Sequence, residues 1–203
     1  DGLRHRFKLI SSLKMAEEVQ QNLLPNRSPY LKNFDISGTS IYCDETGGDY
    51  YDYLLLPEDK LGIVVADACG HGIGAAMLMT SVRAFLTSAI RDYQSPAQLL
   101  KGINSYVTRD CAKSGRFSTM FFLEINASTR ELKWVRAGHE PAVFFRAKSQ
   151  TFSYLHGTGL VLGVDDTFDF EDTSESANQT GDTILIGTDG INETRNKNEE
   201  TFG

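Results

Sequence analysis

Three aspartates in this sequence stand in short segments that contain glycine. They are Asp49 in Glu45-Thr-Gly-Gly-Asp-Tyr-Tyr-Asp52, Asp67 in Val64-Val-Ala-Asp-Ala-Cys-Gly-His-Gly72 and Asp189 in Ile184-Leu-Ile-Gly-Thr-Asp-Gly190. Hard divalent cations prefer carboxylate oxygens on tight turns, and glycine lets a phosphate group or its waters approach the backbone. A single Asp-Gly pair is typical of a β-turn. Three such segments together favour a shared metal centre.

Two divalent ions held about 3.5–4 Å apart need several carboxylates, and such a pair activates water and neutralises a transferring phosphoryl group. The three aspartates therefore indicate hydrolysis of a phosphate ester, whose transition state depends mainly on electrostatic stabilisation. The sequence contains neither a GxxxxGK[ST] phosphate loop nor a GxSxG nucleophile motif. Cys69 lacks the sequence pattern of a cysteine phosphatase, so we interpret it as a small buried thiol.

Composition excludes several other classes of protein. The chain has 203 residues, 40% of them hydrophobic, with 12 Phe and 8 Tyr, which suffices for a packed core. The formal charge is −7 and no cluster of basic residues occurs, so we expect no nucleic-acid partner. Cys43, Cys69 and Cys111 form no CxxC pair, which argues against disulfides and structural zinc and fits a reducing cytoplasmic location.

No signal peptide and no apolar run close to 18 residues is apparent, so we expect no membrane-spanning segment within these residues. Residues 3–24 are predicted to form a helix that Pro25 ends, with apolar positions three and four residues apart. These apolar positions form a stripe on one side of the helix. Such a stripe is compatible with docking on the domain, with a homodimer contact or with a connection to an upstream module. The sequence leaves these three alternatives open, together with a membrane anchor elsewhere in a longer protein.

From residue 34 onward the pattern predicts an α+β domain with antiparallel sheets, because two helices stand between groups of strands without βαβ alternation. Ser95-Pro96 supplies a helix start, with an N-cap residue followed by proline. An exposed strand with loops is expected within the acidic segment 165–182. The two helices are predicted at 70–93 and 95–113. The other strands are predicted at 34–43, 50–56, 61–66, 117–125, 132–137, 142–146, 152–155 and 183–186.

Four ordered motifs closely resemble those of bacterial PPM-type serine/threonine phosphatases of the SpoIIE/RsbU branch. They are residues 45–52, 67–76 (Asp-Ala-Cys-Gly-His-Gly-Ile-Gly-Ala-Ala), 137–141 (Ala-Gly-His-Glu-Pro) and 188–193 (Thr-Asp-Gly-Ile-Asn-Glu). The preceding Gln20-Gln-Asn-Leu-Leu-Pro25 is also similar to that branch. The resemblance covers about residues 16–203. It implies a β-sandwich of two antiparallel sheets flanked by helices, with a linker helix at 1–25 and a catalytic domain at 30–203.

The resemblance also implies two divalent cations, Mn²⁺ or Mg²⁺, at one edge of the sandwich. Asp49 would bind one ion, Asp67 would bridge both with the Ala68 carbonyl as a further ligand, and Asp189 would bind the other ion. Members of the family carry another aspartate well after the Thr-Asp-Gly motif, on the last strand. That ligand and strand are expected beyond residue 203, so we expect residues 1–203 alone to bind Mn²⁺ weakly.

The remaining candidates have less defined roles. His71, close to Asp67, is predicted either to donate a proton to the leaving group or to support its loop. His139 is predicted to be a scaffold histidine. Asp52 and Glu45 fit either supporting or water-mediated ligands of the metals, or plain solvated carboxylates. Asn192 and Glu193 are expected to shape the loop after Asp189.

The resemblance implies direct attack of a metal-activated water on phosphoserine or phosphothreonine, without a covalent enzyme intermediate. It suggests a phosphorylated anti-sigma-factor antagonist of the STAS type as substrate and control by an upstream sensory module. The helices that follow the Asp67 loop are a candidate switch element. The alternative is a pseudophosphatase that only binds a phosphoprotein, and a two-metal nuclease is disfavoured by the negative charge.

Overall fold

The computed structural model describes residues 2–41, 46–176 and 179–202. In these ranges, helices alternate with groups of strands in an order close to the predicted one. The elements in chain order are α1 (Gly2–Gln21), β1 (Tyr50–Leu56), β2 (Lys60–Ala68), α2 (Gly72–Ala89), a short 3-10 turn (Ile90–Asp92), α3 (Pro96–Cys111), β3 (Ser118–Asn126), β4 (Glu131–Ala137), β5 (Ala142–Arg146), β6 (Thr151–Leu155), β7 (Thr173–Ser176) and β8 (Thr183–Leu185).

The larger sheet has five antiparallel strands in the order β1-β2-β3-β4-β7. Its strand β3 is apolar on both faces, since it is covered on both sides. Met120 and Phe122 belong to the core beneath the helices, whereas Phe121 and Leu123 belong to a second core. β7 pairs with β4, so the expected strand in the acidic segment 165–182 is confirmed.

The second sheet has three antiparallel strands in the order β6-β5-β8. Its inner residues Ala142, Phe144 and Leu155 pack with Phe121 and Trp134 of the larger sheet. The layers are therefore helices, five-stranded sheet and three-stranded sheet. The predicted α+β class with two antiparallel sheets and flanking helices is confirmed, with α2 and α3 covering the larger sheet.

Sequence signals account for the start of α3. Ser95 accepts a hydrogen bond from the Gln98 N–H at 3.3 Å, and Pro96 occupies the first turn, where it lacks only a hydrogen bond the helix would not make. The apolar side of the helix, including Leu100, Ile103 and Val107, is buried against the larger sheet. α3 thus fixes one side of the core that supports β2.

The segment Gly72–Asp92, which is α2 with the following turn, is long and apolar enough to span a membrane by length and composition. No apolar segment of this length was expected from the sequence. Core helices of globular domains meet the same criterion, and one side of α2 contributes Ala75, Met79, Val82 and Leu86 to the core. Packing in the domain therefore accounts for the apolar residues on that side of α2.

The predicted strand 34–43 is wrong for the residues the structure describes. Residues 35–41 have no regular secondary structure, and Phe34 forms only an isolated bridge with Leu31. Cys43 lies outside the described residues. This segment runs beside β1, where the Tyr51 hydroxyl donates to the Gly38 carbonyl at 3.1 Å, so a side-chain contact replaces the pairing of backbone strands.

Helix α1 ends at Gln21, three residues before the predicted end, and tight turns follow it. Its apolar side chains are mostly exposed, with Phe7 at 71% and Val19 at 64%. Gln20, by contrast, is only 3% exposed. The helix therefore contacts the domain through its last turns, and its earlier part remains available to another partner.

Candidate metal centre

Asp67 and Ala68 are the last two residues of β2, a strand that lies between β1 and β3. Across the ladder Asp67 faces Thr119 and Ala68 faces Ser118. The Ser118 hydroxyl donates to the Asp67 carbonyl oxygen at 2.9 Å. The backbone that carries the predicted bridging ligand is thus fixed from a neighbouring strand.

Asp49 directly precedes β1, and the glycine before it explains how close its loop comes to Asp67. The Ala68 N–H donates to the Gly48 carbonyl at 3.2 Å. A Cβ atom on Gly48 would lie 2.4 Å from the Ala68 carbonyl oxygen and 2.9 Å from the Asp67 carboxylate. Only glycine fits there, which is the physical reason for the second glycine of the Gly-Gly-Asp motif.

Asp189 lies in an exposed turn after β8. In that turn the Glu193 N–H donates to the Asp189 carbonyl at 2.8 Å. The preceding Thr188 donates its hydroxyl hydrogen to the Asp49 carboxylate at 3.1 Å. The Thr-Asp-Gly turn of the smaller sheet is therefore joined to the Gly-Gly-Asp loop of the larger sheet, which brings Asp189 to the other two aspartates.

His139 also links the two sheets, through hydrogen bonds to Thr119 of the larger sheet and to Gly187, which follows β8. Its Nε2 contacts the Gly187 carbonyl at 3.1 Å, so that nitrogen carries the proton, and its Nδ1 accepts from the Thr119 hydroxyl at 2.7 Å. The residue is 3% exposed, and burial lowers the pKa of its imidazole to about 4. His139 is therefore neutral and occupies the scaffold position predicted for it.

The three carboxylates affect one another electrostatically. Burial and, to a smaller extent, the negative charges of Asp49 and Asp189 together raise the pKa of Asp67 to about 7. Burial also raises the pKa of Asp49, the Thr188 hydrogen bond opposes this, and the Asp189 charge adds to it. Gathering like charges in a partly buried site is costly unless a cation is present.

In the part of the chain that the structure describes, no three side chains of His, Cys, Asp or Glu are close enough to hold one metal ion as they stand. The three aspartates are therefore close enough for their charges to interact, but their side chains do not form a complete ligand set for one metal ion. The donor set nevertheless fits hard divalent cations, because it consists of carboxylates with raised pKa values next to a backbone carbonyl.

The remaining predicted residues divide into separate places. His71 is the exposed N-cap residue of α2, four positions after Asp67. Asp52 does not join the cluster: it pairs with Arg83 of α2 at 3.8 Å and accepts from the Tyr50 hydroxyl at 2.8 Å. Asp52 is therefore neither a supporting ligand nor a solvated carboxylate, because its ion pair with Arg83 links β1 to α2. Glu45 lies outside the described residues, and Asn192 and Glu193 lie in the exposed loop after Asp189.

Sequence reasoning missed one buried contact to the site. Gln20 of α1 donates from Nε2 to the Gly47 carbonyl at 2.6 Å and accepts from the Gly47 N–H at 3.1 Å. Its amide therefore satisfies both backbone groups of a residue two positions before Asp49. The only signal in the sequence was a glutamine on the apolar side of a helix. The segment that contains it, residues 20–25, resembles the SpoIIE/RsbU branch, but no contact with the site was predicted for it.

Comparison with known proteins agrees with this geometry. The family model for Stage II sporulation protein E (SpoIIE) matches residues 57–203. The chain is 32% identical over 197 residues to phosphoserine phosphatase RsbU of Bacillus subtilis (strain 168). That match covers 97% of this chain and 57% of RsbU, so the chain spans little more than half of this relative.

Two solved structures share the fold. The SiaA-PP2C domain of Pseudomonas aeruginosa aligns with a TM-score of 0.78 at 20% identity, covering 98% of this chain and 79% of that one. RsbX, crystallised in complex with magnesium, aligns with a TM-score of 0.58 at 18% identity, covering 80% and 73%. Because the SpoIIE family model matches most of the chain, this protein belongs to the SpoIIE family and has the fold of PP2C-type phosphatase domains.

Proposed function

We propose that this domain hydrolyses phosphoserine or phosphothreonine on a regulatory protein in a metal-dependent reaction. One observation carries the proposal: Asp49, Asp67 and Asp189 come from three distant segments, and their charges act on one another at one edge of the sandwich. A site that accumulates carboxylates in this way is suited to cations and, through them, to a phosphate dianion. The name of the RsbU relative supports the same reaction class.

In this proposal Asp67 is shared between two divalent cations, Mn²⁺ or Mg²⁺, with Asp49 on one, Asp189 on the other and the Ala68 carbonyl as a further ligand. When bound, the cations would supply an activated water and neutralise charge on the phosphoryl group. The magnesium bound by RsbX supports a hard cation in this fold. A further carboxylate beyond residue 203 is proposed to complete the site.

The chain's own residues favour direct hydrolysis over a covalent intermediate. The Thr119 hydroxyl does donate to the His139 imidazole, as in a nucleophile–base pair. However, His139 is 3% exposed, and its other nitrogen is bonded to the Gly187 carbonyl, so the pair lies in the scaffold. The Cys69 sulfur accepts from the Phe117 N–H at 3.2 Å, without a base identified for it among the described residues.

We also propose that the domain is controlled through α1 by an upstream module, in the cytoplasm. Gln20 connects α1 to the loop before Asp49, and the earlier part of α1 exposes apolar residues that suit a second copy or another domain. The resemblance suggests a STAS-type anti-sigma-factor antagonist as the phosphorylated substrate. The alternative of a phosphoprotein-binding pseudophosphatase is favoured by one observation, the absence of a formed three-ligand group among the described residues.

The change Asp67→Asn tests the proposal. In the full-length protein it should lower Mn²⁺-dependent dephosphorylation of a phosphoserine protein by several orders of magnitude, because the shared ligand loses its charge. Asp166→Asn, at an exposed aspartate away from the cluster, is the matched control. Activity of Asp67→Asn within a few-fold of this control would refute the site. Absence of metal-dependent activity in the unsubstituted protein, with phosphoprotein binding retained, would favour the pseudophosphatase.

A further inference from the structure

Thr188 holds the carboxylate of Asp49, and the proposed function has assigned no role to this contact. Asp49 directly precedes β1 of the larger sheet, whereas Thr188 follows β8 of the smaller one. The Thr188 hydroxyl donates to Oδ2 of Asp49 at 3.1 Å. The bond involves one carboxylate oxygen and not the other, so the two oxygens of Asp49 are no longer equivalent as ligands for a cation.

Thr188 is itself fixed by hydrogen bonds of the backbone around it. The carbonyl of the preceding Gly187 accepts from Nε2 of His139 at 3.1 Å, and His139 is 3% exposed. The carbonyl of Thr188 accepts from the Ile191 N–H at 3.2 Å. Threonine also has few favoured side-chain rotamers, because its Cβ carries two heavy atoms. The hydroxyl therefore reaches Asp49 from a defined direction.

Hard cations differ in how they use a carboxylate. Calcium accepts six to eight oxygens in a flexible arrangement and binds carboxylates through one oxygen or through both. Magnesium is smaller and requires a nearly ideal octahedron, which the narrow angle between two oxygens of one carboxylate does not fit. A hydrogen bond to one oxygen competes with the use of that oxygen as a ligand. A carboxylate held in this way suits a cation that binds through a single oxygen.

We propose that Thr188 is a positioning residue that restricts Asp49 to cation binding through Oδ1 and thereby makes this centre prefer magnesium over calcium. Thr188 acts through Asp49 and not on the substrate. Manganese is expected to behave like magnesium, because it also favours octahedral oxygen ligands. The inference rests on the metal centre of the proposed function. It adds a residue outside the ligand set that determines which cation the centre accepts.

Calorimetry on the full-length protein, without phosphoprotein, measures the affinities for Mg²⁺ and Ca²⁺ separately. Thr188→Val replaces the hydroxyl with a methyl group of similar size. It should weaken Mg²⁺ binding by about tenfold or more, the loss typical of removing a hydrogen-bond partner from a metal ligand. Ca²⁺ binding should weaken less or become stronger, because Asp49 is then free to use both oxygens. Thr188→Ser keeps the hydroxyl and should restore the preference for Mg²⁺.

Two further variants serve as controls. Thr183→Val makes the same change at an exposed threonine of β8, whose hydroxyl donates to the Gly181 carbonyl at 3.3 Å, and should leave both affinities unchanged. In an Asp49→Asn background, Thr188→Val should not alter the ratio of the two affinities further, because the carboxylate it acts through is gone. Melting temperatures show whether each variant folds. Thr188→Ala removes the same hydroxyl and replaces Thr188→Val if that variant does not fold.

The ratio of the two affinities decides the matter. Equal losses for Mg²⁺ and Ca²⁺ in Thr188→Val would show that Thr188 only supports its turn, and an unchanged ratio in every Thr188 variant would overturn the inference. The same shift in Thr183→Val, or no recovery in Thr188→Ser, would also overturn it. If the preference depends on Thr188 but the unsubstituted protein hydrolyses no phosphoprotein, the proposed function fails and this inference stands. If Mg²⁺-dependent hydrolysis occurs and Thr188→Val keeps the preference, this inference alone fails.

Discussion

Replacing Gln20 by alanine would remove the buried contact between α1 and the loop that carries Asp49. In the structure one amide group satisfies both the N–H and the carbonyl of Gly47, at 3.1 and 2.6 Å. Gln20 is 3% exposed, so water does not readily replace the missing amide. The substitution therefore removes two hydrogen bonds and leaves two backbone groups without their partner.

The size of the effect follows from those two bonds. A typical hydrogen bond contributes about 1 kcal/mol net, and an unsatisfied buried group costs about 1–3 kcal/mol. Because Gly47 is only half-buried, we expect a loss of about 2–4 kcal/mol in the free energy of unfolding. In a domain of this size that corresponds to a fall in melting temperature of about 4–16 °C. We also expect weaker Mn²⁺ binding, because the loop before Asp49 becomes less ordered.

Denaturant unfolding, hydrogen exchange and calorimetric titration of Mn²⁺ measure these effects. Gln21→Ala is the matched control, since Gln21 is exposed and bonds only to the Glu17 side chain within α1. Gln20→Glu tests the donor: at neutral pH its carboxylate would face the Gly47 carbonyl, whereas below pH ~4 the protonated acid could donate to it.

The expected order of stability at neutral pH is wild type and Gln21→Ala, then both Gln20 variants. Faster amide exchange should appear in the last turns of α1 and in residues 46–49. Equal unfolding free energies and equal Mn²⁺ affinities for Gln20→Ala and Gln21→Ala would refute the coupling of α1 to the site.

Further predictions concern pH and the reaction path. In metal-free protein, Asp67 has a pKa raised from 3.8 to about 7, so the native state retains a proton that the unfolded chain has released. Its contribution to stability should therefore fall as pH rises from 4 to 7, by about 2 kcal/mol after allowing for solvent screening, and Asp67→Asn should abolish that slope in urea unfolding series. His139 has the opposite sign: its pKa is lowered from 6.5 to about 4, so stability should be lost as pH falls through that range, by up to about 3 kcal/mol. His139→Gln should flatten this acid limb, and a profile parallel to that of wild type would contradict the burial argument. Rapid quench with a radiolabelled phosphoprotein should trap no phosphoenzyme, and a stoichiometric stable label on the protein would exclude direct hydrolysis.

Local sequence patterns determined most elements of this fold. The aromatic and aliphatic residues of β1 and β5 predicted their bounds, Tyr50–Leu56 and Ala142–Arg146, because strand-favouring residues and flanking turn residues are encoded within a few positions. The strand predicted from residue 34 failed because β-rich composition does not show whether a neighbouring strand is available for pairing. The aspartates were also readable from sequence, since glycine-containing turns and carboxylates are local features.

The tertiary structure alone decided how those aspartates are held. Thr188 and Asp49 are 139 positions apart and meet only because β8 pairs with β5 beneath the larger sheet. The Gln20–Gly47 contact and the hydrogen bond from Arg116 to the Cys69 carbonyl depend in the same way on how distant segments pack. Such contacts leave no local pattern, because a side chain's partner is set by sheet order and layer packing and not by its neighbours in the chain. The sequence by itself determined which groups could do chemistry, and the packing of two sheets and two helices decided which of them meet.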